Sequence, residues 1–222
     1  MIPLSILSML DEADEAVFLA LHHLVRSEAM DSFMWLMSDK LIWVPMYIAL
    51  SWWIIVRFGW KRGGAVILAI SLAALCADQT CSRLLRPLVE RLRPANPDNP
   101  LSGFVYIVNE YRGGAYGFPS CHAANTFMLA TFISLLARNR FLIGWMFVWA
   151  VLNCLSRIYL GVHYPGDILY GAIIGSVFTI IWSKLLKLLW KDSEVMRITA
   201  VKSVDSDYVP VAVGLITVVF CL

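Results

Sequence analysis

FLIGWMFVWAVLNCLSRIYLGVHYPGDILYGAIIGSVFTIIWSKLLKLLW, residues 141–190, decides the fold. Two apolar runs, 141–157 and 165–190, approach the roughly 20 residues that a helix needs to cross a bilayer. The short segment joining them carries Ser156, Arg157, Gly161, His163 and Pro165, with Asp167 just beyond. Pro165 suits the first turn of a helix, where its missing N–H costs nothing. The stretch therefore reads as two membrane helices that deliver an arginine, a histidine and an aspartate to one membrane face.

The rest of the chain repeats the pattern. Of its 222 residues 59% are hydrophobic and 15% charged, against about 25% charged in soluble domains. The mean hydropathy is +0.71. Further apolar stretches cover 41–57, 64–85 and 119–137, and a 14-residue one covers 209–222, either a truncated span or an interfacial helix. The expected fold class is an all-α polytopic transmembrane helical bundle of five to six spans with an N-terminal amphipathic region. Three parts are expected: an interfacial region 1–40, a main transmembrane domain 41–190, and a segment 191–222 holding a polar linker (191–208) and a candidate sixth span. In 1–40, Asp11, Glu12, Asp14, Glu15 and Glu28 interrupt apolar residues at helical spacing, while Phe18, Leu19, Leu21, Leu24 and Val25 line one face. A short span over 16–36 is the alternative, opposed by Arg26, Glu28 and Asp31. The first ten residues lack the basic region of a cleaved signal.

A net charge of +2 with no dense basic run points away from a nucleic-acid partner. The cysteines Cys76, Cys81, Cys121, Cys154 and Cys221 match no zinc spacing, and their odd number excludes a complete disulfide framework. Adjacent His22 and His23 face different sides of a helix and read as interfacial polar residues. Basic residues group in short loops: Arg57, Lys61 and Arg62; Arg138 and Arg140; Lys184, Lys187 and Lys191. Such loops are cytoplasmic by the positive-inside rule, and Trp60, Trp182 and Trp190 beside them suit an aromatic belt. The 86–118 loop and the 157–165 turn then face outward. They are also rich in arginine, which an anion-binding role explains.

Three segments on that outward face carry chemistry: Arg86 to Pro94, Pro119-Ser120-Cys121-His122, and Ser156 to Asp167. Guanidinium groups bind phosphate oxygens in a bidentate fork. Arg86 and Arg93 are seven apart, two turns if the segment is helical, and Arg157 joins from the next span. Ser120 offers a hydroxyl, and the backbone N–H groups near Cys121 and His122 open a helix whose dipole favours an anion. Asp167 can fix one ring nitrogen of His163 and leave the other to attack phosphorus. His122 can protonate the leaving oxygen. Asp78 is either a supporting group or a boundary residue paired with Arg83.

This arrangement resembles the type 2 phosphatidic acid phosphatase family, PAP2, whose pattern is Lys-x6-Arg-Pro, Pro-Ser-Gly-His and Ser-Arg-x5-His-x3-Asp. Here the motifs are Arg86-x6-Arg93-Pro94, Pro119-Ser120-Cys121-His122 and Ser156-Arg157-x5-His163-x3-Asp167. The resemblance spans about 40–190. It departs at Arg86, in place of lysine, and at Cys121, in place of glycine, whose side chain would crowd the pocket if the backbone needed a positive φ. The resemblance implies a phosphohistidine at His163 oriented by Asp167, with His122 as acid. Arg86, Arg93, Ser120, Cys121 (by its backbone N–H) and Arg157 would hold the phosphate. It implies no cofactor and no metal. The implied partners are the bilayer and a phosphorylated envelope lipid, of the undecaprenyl diphosphate, phosphatidylglycerophosphate or lipid A type. The implied location is a bacterial inner membrane with the site facing outward. The rivals are a lipid or ion transporter, which predicts charges spread through the bilayer, and a catalytically inactive lipid-binding protein.

Overall fold

The computed structural model describes residues 4–24, 26–189 and 205–222. Most of the polar linker 191–208, and with it Trp190 and Lys191, lies outside them.

The amphipathic region forms two helices, α1 (Leu4–His22) and α2 (Glu28–Ser38). Ser27 separates them. Its backbone is extended and its hydroxyl accepts from Met30 N, which caps α2. Both helices pack against α6 (Arg140–Tyr159). His22 is therefore not interfacial. It is fully buried, with Nδ1 donating to Ile158 O at 3.0 Å and Nε2 accepting from Tyr106 N at 2.9 Å. Burial pushes its pKa down to about 4. The adjacent His23 is exposed.

Helix α3 (Val44–Gln79) is broken at Gly59, where φ is 74° and ψ 167°. Only glycine adopts that conformation without strain, and it divides the expected runs 41–57 and 64–85 into two limbs. The second limb runs through a π-helical turn, Thr80–Leu85, into the short α4 (Arg86–Val89). Glu90, at φ 51°, ends α4 in the left-handed conformation. Helices α5 (Cys121–Leu136), α6 and α7 (Pro165–Leu189) follow the expected runs.

Helix α5 is the hub, packed on α7, α6 and α3. Its closest neighbour is α7, because Gly171 and Gly175 leave no side chain between the backbones. A Cβ at Gly175 would lie 2.0 Å from Ala124 O. Thr179 extends the same stripe, its hydroxyl donating to Met128 O at 2.9 Å. Small residues four apart allow membrane helices this approach. The apolar run at 209–222 is α8 (Val209–Cys221), which packs on α3 and α6. Asp207 precedes it and accepts from Trp53 Nε1 at 2.7 Å and Arg57 Nη1 at 3.1 Å.

Trp53, Trp149, Phe132 and Met46 fill the core. The outward faces are also apolar: Ile48, Trp52, Leu68, Ile173 and Ile180 are exposed, as on helices that face lipid. The protein is an integral membrane protein. Three helical segments among the described residues are long and apolar enough to cross a membrane, Leu41–Val89, Arg140–Tyr159 and Pro165–Leu189. The first contains the Gly59 break. Cys121–Leu136 and Ser206–Cys221 are shorter apolar helices, so length alone does not reach the five to six spans expected.

Candidate active site

The three sequence segments meet where four helix ends converge: the end of α4, the start of α5, the end of α6 and the start of α7. His163 lies in the turn between α6 and α7 and is 1% exposed. Its Nδ1 lies 3.3 Å from Asp167 Oδ2 and its Nε2 lies 3.1 Å from Arg93 Nη1. The guanidinium can only donate, so Nε2 accepts and the proton sits on Nδ1. The Gly117 backbone lies beside the ring, where a Cβ would stand 3.6 Å from Nδ1. Burial first, then the charges of Arg93, Arg157 and Arg86, hold the imidazole well below its ordinary pKa. The ring is held in its neutral form, with the Nε2 lone pair directed at Arg93.

Arg93 reaches this position by a route the seven-residue spacing does not suggest. The 86–93 segment is not helical throughout, since Glu90 turns the chain and Arg93 precedes a proline that favours extended backbone. Leu92 bridges to Tyr116, Arg93 N donates to Ala115 O at 3.1 Å, and Gly117 N donates to Arg91 O at 2.9 Å. The 90–118 loop is thereby folded over the His163 turn. The Arg93 side chain is fixed by Tyr116 O and Val162 O. Burial, then repulsion from Arg86 and Arg157, lowers its pKa to about 10.

Arg86 donates to Pro119 O and to Cys121 Sγ, each at 3.2 Å. Arg157 donates to Ser38 Oγ, and to Tyr111 Oη at 3.1 Å. Arg86 Nε and Arg157 Nε are buried and have no hydrogen-bond partner among the described residues. Buried donors left in this state suit an anion. Ser120 is fully buried and caps α5, its Oγ accepting from Ala123 N at 3.4 Å. That leaves its O–H to donate. Cys121 has no positive φ, so its side chain is tolerated, and its sulfur turns towards Arg86. Pro119 precedes the cap and is not within α5. His122 is part-exposed, faces the Ser38 backbone, and lies within electrostatic range of Arg157, His163 and Lys40. Asp78 accepts from Asn125 Nδ2 at 3.3 Å, a contact that the expected choice between a supporting role and Arg83 did not include.

Other groups at the site had no distinguishing signal in the sequence. Gly117 lies against the His163–Asp167 pair: a Cβ there would be 3.0 Å from Asp167 Oδ2. Tyr111 stacks edge-on against Trp35 of α2. Burial raises its pKa, but Arg157, Arg93 and Lys40 together carry it below the ordinary value. Arg91 stands in the first segment, yet its partners Asp11 and Asp14 are about 80 residues away and only the fold joins them. Among the described residues no group of three or more His, Cys, Asp or Glu is placed to hold a metal ion.

The chain is similar to several known proteins. The family model described as PAP2 superfamily matches residues 65–191. A lipid A 4'-phosphatase from Bacteroides thetaiotaomicron is 47% identical over 175 residues, 77% of this chain and 78% of that protein. A lipid A 4'-phosphatase from Porphyromonas gingivalis is 36% identical over 75% of this chain and 70% of its own length. The crystal structure of a transmembrane PAP2-type phosphatidylglycerolphosphate phosphatase from Bacillus subtilis has the same fold. It superposes with a TM-score of 0.57 at 21% identity, covering 82% of this chain and 88% of that one.

Proposed function

The chain belongs to the PAP2 superfamily, and from that premise we propose that it removes a phosphate from a lipid A-type envelope lipid through a phosphohistidine at His163. That it is a membrane lipid phosphatase follows from its relatives. The substrate and the roles of individual residues are our reading. The observation that carries the reading is the placement of His163, with Nδ1 on Asp167 and Nε2 on Arg93.

The proposed reaction has two halves. Arg86, Arg93, Arg157, the Ser120 hydroxyl and the first backbone N–H groups of α5 bind the phosphate oxygens and match the charge that spreads over them in transfer. Nε2 attacks phosphorus in line with the lipid oxygen, and Asp167 stabilises the positive charge that develops on the ring. His122 gives its proton to the departing oxygen. It then takes a proton from water, which attacks the phosphohistidine and releases inorganic phosphate. Two relatives named as lipid A 4'-phosphatases favour that substrate over a diphosphate lipid. An inner-membrane location with the site facing outward belongs to the same proposal.

The test is phosphate release by the purified chain in detergent with excess chelator, on lipid A, phosphatidylglycerophosphate and undecaprenyl diphosphate. Lipid A should be turned over fastest, and acid-labile phosphoenzyme should be trapped by rapid quench. His163→Ala should give neither turnover nor phosphoenzyme. His122→Ala should lose roughly 10²–10⁴-fold in turnover. Trapped phosphoenzyme in His163→Ala would move the nucleophile elsewhere. Complete loss of turnover on chelation, restored by a divalent metal, would overturn the arginine-based mechanism.

A further inference from the structure

Arg91 is not among the groups proposed to hold the phosphate, yet it lies against the carboxylate that orients the nucleophile. Asp167 is fully buried. Its Oδ2 accepts from His163 Nδ1 at 3.3 Å and Tyr164 N at 3.0 Å, and its Oδ1 accepts from Arg91 Nη1 at 3.1 Å. The same Nη1 donates to Asp14 Oδ2 at 2.7 Å, and Nη2 donates to Asp11 Oδ1 at 2.6 Å. The guanidinium stacks on the Tyr164 ring, 3.9 Å from its centroid. Asp14 Oδ1 in turn accepts from Gly166 N at 2.7 Å, the residue before Asp167. A Cβ at Gly166 would lie 2.6 Å from Asp14 Oδ2, so the approach of α1 depends on glycine there.

We infer that Asp14 and Arg91 are positioning residues for the reaction: together they clamp Asp167 from outside, fixing which oxygen meets His163 and how much negative charge that oxygen keeps. The inference rests on the phosphohistidine reading above. Two physical effects compose it. Pinning Oδ1 on Arg91 leaves Oδ2 alone to face the ring, which fixes the imidazole and its tautomer, as outer hydrogen-bond partners do for other reactive histidines. The second effect is charge. An arginine paired with Asp167 alone would cancel the carboxylate just as the attacking ring becomes positive. Asp14 and Asp11 share the cation, so Asp167 stays effectively anionic. Around His163 the charged and titratable groups are Arg86 on α4, Arg93 in the loop, His122 on α5, Arg157 on α6 and Asp167 on α7. Around Arg91 they are Asp11, Asp14 and Glu15 on α1, with Tyr164 and Asp167. Arg91 thus acts on His163 through Asp167, and Asp14 acts through Arg91, with opposite sign.

The opposite signs provide the test. kcat, KM, the phosphoenzyme burst and the pH profile of kcat are measured on the full chain in detergent for Arg91→Gln, Arg91→Lys, Asp14→Asn and Asp11→Asn. Arg91→Gln should lower kcat by roughly 10- to 100-fold, the range for lost outer hydrogen-bond partners. KM should stay within about twofold, because the phosphate ligands remain. Unscreened, Asp167 holds a proton on His163 more strongly, so the acidic limb should move to higher pH. Asp14→Asn should move that limb to lower pH, and Arg91→Lys should recover part of kcat. Asp11 is exposed and touches Arg91 but not Gly166. Asp11→Asn should therefore fold whether or not Asp14→Asn does, and should shift the limb as Asp14→Asn does by a smaller amount. Losses confined to KM, an unmoved limb, or a shift of the same sign in Arg91→Gln and the aspartate variants would reduce the clamp to scaffolding and overturn the proposal. A wild-type chain that forms no phosphoenzyme would instead overturn the reading of function, leaving the two failures distinct.

Discussion

Gly117 sets how tightly the loop closes on the His163–Asp167 pair. A methyl group there would meet Asp167 Oδ2 at 3.0 Å and Arg93 Cγ at 3.2 Å, and both side chains are held by hydrogen bonds that resist displacement. Gly117→Ala should therefore cost roughly a hundredfold in kcat, the scale for a misplaced reacting group, while circular dichroism shows the helices intact. A second residue-scale outcome concerns His22, whose pKa is about 4 in the folded chain against an ordinary 6.5. Above about 6.5 neither state binds the proton, and below about 4 both do. Between those values only the unfolded chain takes it up, so stability should fall as pH falls through that window. His22→Gln should flatten the fall, as measured by thermal denaturation in detergent at stepped pH. The motif residues were legible from sequence because they sit at helix ends at fixed offsets, as His163 and Asp167 do. The long-range partners were not. Nothing local ties Asp14 to Arg91, or His22 to Ile158, and His22 reads as interfacial until α1 is seen packed on α6.

At the scale of elements, the α5–α7 contact holds the two halves of the site together. Ser120 and His122 begin one helix, His163 and Asp167 lead into the other, and Ser120 N donates to Asp167 O at 3.0 Å. Gly175→Leu would force the backbones apart where even a Cβ falls 2.0 Å from Ala124 O. Overpacking of this kind costs about 1–3 kcal/mol or more, so the melting temperature and turnover should fall together. Gly144→Ala is the contrast. Nothing lies within 4 Å of its added Cβ, and helix propensity should make it neutral or stabilising by up to about 1 kcal/mol. The long helices were legible as apolar runs. The α5–α7 stripe was present as Gly171-x3-Gly175, a small-residue spacing that the apolar runs around it obscured. The true path of 86–93 was not legible, because the left-handed turn at Glu90 has no signature in its residue type.

At the scale of the whole molecule, apolar side chains face both inward and outward, while the arginines, histidines and aspartate of the candidate site collect at one end of the bundle. The basic loops at Arg57–Arg62 and Arg138–Arg140 belong to the other end by the alternation of the helices. With every native cysteine replaced, a single cysteine at Asn109, which is exposed, should react with a membrane-impermeant maleimide in intact cells. One at exposed Arg140 should react only after lysis. The reverse pattern would turn the proposed orientation over. Charge sorting of this kind has a consequence for transport across the bilayer. An enzyme whose proposed phosphate site is built from helix ends on one side would sample a single monolayer and discharge phosphate into a single compartment. In sealed vesicles holding molecules of one orientation, hydrolysis would run in two phases. The facing monolayer would be consumed at the enzymatic rate, and the hidden one at the rate of spontaneous lipid flip-flop, so the slow phase becomes a clock for transbilayer movement.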